Sequence, residues 1–277
     1  MRAGLARAIG AVMLAAVMAT QAMAQTAAGD MRALIGALRV DDTVRIMRQE
    51  GLQYGDEIAQ EMLPGVSAPG WRRVLSEIYD TDRMAQLVTD RFAAELEGTD
   101  IAPLVAFFTS ERGREIISLE LSAREAFLDD ATEDAATEVW QEAQQARPRL
   151  LVQVEEIIGD SDLVEFNVMG ALNANLMFYR GLADGGAIEM GEDEMLADVW
   201  SQEGDVRAQS ESWLGAFLMM AYRPLDPADL DAYAALYRSE AGRALNSAIF
   251  SAYDQMYEEL SYLLGQAIAR QMQSEEL

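Results

Sequence analysis

Histidine, cysteine and lysine do not occur in this 277-residue chain, so any chemistry must come from arginine guanidinium groups, carboxylates and a few amides. All 21 basic residues are arginine, set against 47 Asp and Glu. Arg114 and Arg243 each follow a Ser-x-x-Gly, which places them in the first turn of a long helix. Free backbone N–H groups and the positive end of the helix dipole there suit a carboxylate or phosphate ligand. The competing reading is a salt bridge that fixes a helix corner, and the excess of acids favours it. Gly113 and Gly242 read as points of close helix contact. A further set lies at 162–183, where Asn173, Asn175 and Arg180 interrupt a largely apolar helix. Buried polar groups need partners, so these three either line a ligand cleft or form a satisfied network. The network is the favoured reading, and a cleft between the two halves of the chain would form here.

The missing residue types exclude much chemistry. Without histidine there is no Ser-His-Asp triad and no switch near neutral pH. Without cysteine there is neither a thiol nucleophile nor a disulfide, and zinc loses both favoured ligands. Without lysine, a Walker phosphate loop and a Schiff base are impossible. Ser67, in Gly65-Val66-Ser67-Ala68-Pro69-Gly70, has no base to activate it, and 64–70 reads as a Pro/Gly loop. The acidic runs 129–134 and 189–194 lack the alternating pattern of a calcium loop and read as solvated faces. No catalytic residue, metal ligand or cofactor is expected.

The first 24 residues carry the features of a secretory signal peptide. Arg2 and Arg7 precede an apolar stretch at 8–19, and Ala22-Met23-Ala24 offers small residues for cleavage between Ala24 and Gln25. Removal of those two arginines takes the net charge from −26 to −28. A surface so acidic repels nucleic-acid phosphates and anionic head groups, so neither is expected as a partner. The densest later apolar run, 213–222, is too short to cross a bilayer, so no integral membrane segment is expected in the mature chain. The expected location is the periplasm.

Beyond residue 25, apolar residues recur at helical spacing almost throughout. The segment 100–130 then repeats as 229–259 at a constant offset of 129. Ser110/Ser239, Glu111/Glu240, Gly113/Gly242 and Arg114/Arg243 are identical pairs. Each copy reads as a short helix (99–108; 227–237) turning into a long one (111–146; 240–272). Ser110 and Ser239 are natural N-caps for the long helices. Leu245, Ile249, Ala252, Met256, Leu260, Leu263 and Ala267 form one apolar stripe along the second.

The segment Ala235-Leu236-Tyr237-Arg238-Ser239-Glu240-Ala241-Gly242-Arg243, and more loosely 106–114, resembles a helical domain of unknown function found in exported proteobacterial proteins. That resemblance implies a helical fold and an envelope location, and it implies no activity.

These readings predict an all-α protein: two diverged tandem helical repeats, 25–149 and 150–277, packed into one compact bundle-like body after a cleaved signal peptide at 1–24. The expected function is non-catalytic binding of an unknown envelope protein or an apolar small molecule, with Asn173, Asn175, Arg180, Arg114 and Arg243 as candidate binding residues. A carboxylate- and arginine-based hydrolase or lyase in the cleft between the repeats is the rival expectation. A structural homo-oligomer is the third.

Overall fold

The computed structural model describes residues 28–63 and 68–275, so the expected signal peptide lies outside the described residues. Every regular element among them is helical, with no strand. A short helix, α1 (28–37), precedes α2 (Val40–Met62), α3 (Ala68–Ile78), α4 (Thr81–Glu95) and α5 (Ala102–Phe108). Then come α6 (Glu111–Ala126), α7 (Asp130–Ala146), α8 (Arg149–Asp160) and α9 (Leu163–Asp184). The chain ends with α10 (Glu192–Ser201), α11 (Glu203–Tyr222), α12 (Pro227–Arg238) and α13 (Glu240–Glu275).

The 36 residues of α13 make a rod about 54 Å long, and the rest of the fold is assembled against it. It packs most extensively on α9 and next on α4, while α11 lies against α6, α7, α8 and α9. Leu245, Ala252, Met256, Leu260, Leu264 and Ile268 are almost wholly buried along it. One continuous apolar core runs from Leu34 to Ile268 and draws on both halves of the chain. Val168, Leu172 and Val199 form a small second cluster. No described helix is long and apolar enough to cross a membrane.

Two boundaries differ from expectation. The segment 111–146 is not one helix, because α6 stops at Ala126 and α7 starts at Asp130. Asp129 ends the run: its carboxylate accepts from Ala131 N–H at 3.0 Å and caps α7. Phe127 turns inward and meets Trp213 and Phe217 edge-on, with centroids 5.9 and 5.8 Å away. At the offset of 129, position 258 holds Glu, a poor N-cap, and α13 continues unbroken there. Of the stretch 64–70 expected as a loop, 64–67 lie outside the described residues, and Ala68, Pro69 and Gly70 form the first turn of α3, where proline is tolerated.

Candidate ligand-binding site

The two Ser-x-x-Gly-Arg corners have the same local geometry. Ser110 Oγ accepts from Gly113 N–H at 3.1 Å, and Ser239 Oγ accepts from Gly242 N–H at 3.0 Å. Each serine also donates to a carbonyl three residues back, Phe107 or Leu236, at 2.6 Å. A Cβ on Gly113 would strike the carbonyl of Phe107, and one on Gly242 that of Leu236, so neither position tolerates a side chain. The arginines complete the corners: Arg114 donates to the carbonyl of Thr109, and Arg243 to that of Arg238. Both guanidinium groups therefore hold the preceding helix, and neither lies in a cavity.

Residues 82–142 match the family described as an uncharacterized protein conserved in bacteria (DUF2059). The DUF2059 segment runs from the first turn of α4 into α7 and contains the first corner, Ser110 to Arg114. The second corner, Ser239 to Arg243, lies outside it. No curated protein and no solved structure matches the chain.

The DUF2059 segment also supplies one wall of the main cavity, a space of about 550 Å³ bounded by α6, α8, α9, α11, α12 and α13 and touched by α2. Glu120, on α6, is enclosed by protein yet keeps accessible surface because it faces this space. Tyr222 of α11 donates to Glu120 Oε1 at 2.6 Å, and Tyr233 of α12 donates to the same oxygen at 3.0 Å. Tyr233 Oη also lies 3.3 Å from Tyr237 Oη. Burial pushes the Glu120 carboxyl above the usual range, and the two phenol hydrogen bonds pull it partly back. Burial likewise pushes Tyr222, Tyr233 and Tyr237 upward, with the Glu120 charge adding to it, so all three keep their protons at neutral pH.

One helical turn beyond Glu120, Arg124 forms a two-pronged ion pair with Glu50 of α2, at 2.9 and 2.8 Å. Its Nη2 also donates to Tyr257 Oη at 3.4 Å. Burial works against the charge on Arg124, but Tyr257 and Glu50 more than offset it, so the guanidinium stays protonated. Tyr253 is pushed up to about 12, chiefly by burial. Asp254, also in the lining, is pushed up to about 6 by burial and by the charge of Glu258.

The corner between α8 and α9 closes the cavity with a strained backbone. Asp162 adopts the left-handed conformation (φ 49°), uncommon for a residue with a side chain. Asn246 of α13 pins the corner by donating to the Ser161 carbonyl at 2.9 Å. Ser161 borders the cavity, but its Oγ has no accessible surface and, among the described residues, no hydrogen-bond partner.

None of Asn173, Asn175, Arg180, Arg114 and Arg243 is in the cavity lining. Asn175 donates to Gln202 Oε1 at 3.1 Å, and Arg180 pairs with Glu192 near the surface. Asn173 is half-buried on α9. The helix singled out by sequence does border the cavity, through Leu163, Asn167, Gly170, Ala171 and Ala174. The residues that make the site polar were not singled out: Glu120, Arg124, Ser161, Asn246 and the tyrosines. Their signal is a second stripe beside the apolar one, with Asn246, Phe250, Tyr253 and Tyr257 at steps of four, three and four. Glu120/Arg124 and Tyr233/Tyr237 are further pairs four residues apart. Among so many acids and helical repeats, that stripe stands out only once it faces its neighbours.

Proposed function

We propose that this chain is a non-catalytic binding protein of the periplasm, exported by residues 1–24, and that it holds a small molecule with an apolar body in the cavity. The observation that carries this reading is a roomy space of about 550 Å³ with a few polar groups in its lining, among them the Glu120 carboxyl held by two phenols. Binding cavities are mostly apolar with a few placed polar groups, and this lining has that composition. The corner arginines support a structural role rather than anion capture, because each is occupied by a backbone carbonyl.

The reading is tested by isolating the protein from its own envelope and weighing it intact under native conditions. A bound small molecule in near-equal amount, lost when Ala174 is replaced by leucine to fill the cavity, is the expected result. Protein of bare mass that binds nothing in a metabolite screen would end this reading. Export is tested separately: the mature chain should begin at Gln25 and be released by osmotic shock, and retention of residues 1–24 would refute it.

A carboxylate-based hydrolase or lyase is the second reading, favoured by one observation. Glu120 and Asp254 both face the cavity with raised carboxyl pKa values, as general acids do. Arg124 is already engaged by Glu50, which leaves no free cation there to stabilise a developing anion. If the Glu120→Gln protein still binds the envelope ligand but a conversion of that ligand by the wild type disappears, the enzyme reading replaces the binding one.

A further inference from the structure

The charges around the cavity do not balance, and that imbalance specifies a ligand. Three charged side chains line it: Glu120, Arg124 and Asp254. Arg124 is neutralised by its bidentate pairing with Glu50. Among the described residues Glu120 has no basic partner; its two hydrogen bonds come from neutral phenols, and both fall on Oε1. An enclosed carboxylate without a cation is costly, and a positive ligand removes that cost.

The surroundings of Glu120 suit a cation in a second way. Tyr233 is the hub of an aromatic cluster, edge-on to Tyr222 at 6.1 Å and to Tyr237 at 5.0 Å. Ring faces attract ammonium groups, most strongly where water is excluded; Tyr222 and Tyr233 are almost wholly buried, and Tyr237 is the ring of the three that keeps accessible surface. Farther along α11, Trp213 and Phe217 stack with centroids 4.9 Å apart. Trp213 stands nine residues before Tyr222, about 13 Å along the helix, so the space has an anionic tyrosine-lined region and an apolar one.

We propose that the cavity takes an amphiphilic organic monocation, with a compact ammonium head against Glu120 among the tyrosine rings and an apolar body toward Trp213 and Phe217. This rests on the binding reading above and gives it a ligand class. An anion would meet Glu120 and Asp254 with like charge. A neutral hydrocarbon would leave Glu120 without a counter-charge. A metal ion fits poorly, because no group of three or more carboxylates is gathered to hold one among the described residues. The acidic chain, with a net charge of −26, also draws cations toward it.

The test is calorimetric titration of the purified protein with three probes of equal chain length: hexyltrimethylammonium, hexan-1-ol and hexanesulfonate. The ammonium probe should bind about tenfold or more tightly than the other two, and Glu120→Gln should erase that preference. Because the surface itself attracts cations, Ala174→Leu and a titration in about 0.5 M salt serve as controls. Cavity binding is lost in the filled variant and survives salt, whereas surface binding does the reverse. Equal or tighter binding of hexan-1-ol or hexanesulfonate would overturn the cation assignment while leaving a binding cavity in place. Ammonium binding that persists in Ala174→Leu and vanishes in salt would also overturn it. No binding of any probe would overturn both the assignment and the binding reading. The wild-type comparison needs no variant, so a Glu120→Gln chain that failed to fold would not rescue the proposal.

Discussion

Gly181 of α9 and Gly265 of α13 face each other across the most extensive helix contact in the protein. A Cβ on Gly181 would strike the Tyr262 carbonyl and come within 3.1 Å of Gly265 Cα; one on Gly265 would strike the Phe178 carbonyl. The two backbones therefore touch, and this contact sets the spacing of two helices that both line the cavity. It lies C-terminal to the cavity-lining residues Gly170 and Ala174, so it acts on the cavity as a clamp at one end.

Gly181→Ala and Gly265→Ala should each destabilise the protein by about 3 kcal/mol, as overpacking against rigid backbone does. Helix propensity alone would favour alanine by about 1 kcal/mol, so the sign of the change shows which effect wins. Urea unfolding measures it, and a neutral or stabilising result would contradict the close contact.

The helix corners give a paired test. Ser110→Ala and Ser239→Ala should each cost about 1 kcal/mol, the usual loss for an N-cap. Gly242→Ala should cost more, because the added methyl meets backbone that cannot move aside. If Gly242→Ala proved milder than Ser239→Ala by thermal melting, the corner geometry would be wrong.

Ser161→Ala should leave the ligand-free protein as stable as before or raise stability by about 1 kcal/mol, because it removes a buried hydroxyl that has no partner. A loss of 2 kcal/mol or more in the absence of ligand, on the scale of an orphaned buried group, would mean Ser161 Oγ is already satisfied.

Asp254 makes stability depend on pH in an unusual direction. Its folded value of about 6 lies above its ordinary 3.8, so the folded protein holds the proton more tightly than the unfolded chain. The contribution is full below roughly pH 4 and is lost as pH rises through about 6. A two-unit shift corresponds to about 3 kcal/mol, and screening of this partly exposed group reduces that to about 1. Asp254→Asn should therefore stabilise the protein by about 1 kcal/mol at pH 7 relative to its effect at pH 4. Equal effects at both values, measured by urea unfolding, would rule out the shifted carboxyl.

The sequence by itself determined the helical class, several element boundaries and both corners. These depend on interactions within a few residues: apolar spacing along one helix, a serine three places before an amide, a glycine where a carbonyl passes. Even the break at Phe127 was written locally, in the difference between an aspartate that caps and a glutamate that does not. The site was decided by the tertiary structure. Glu120, Tyr222 and Tyr233 lie 102 and 113 residues apart in sequence, yet they meet on one carboxylate oxygen. Nothing local separates Glu120 from the other acids on helical faces, because its character comes from three helices removing its water and two phenols replacing it. For the same reason Asn175 and Arg180, read from sequence as members of a satisfied network or, less favoured, a cleft, have partners that only the packing identifies, Gln202 and Glu192 on neighbouring segments. Periodicity fixes that a helix is buried, but which of its faces meets empty space depends on where α11 and α13 come to rest.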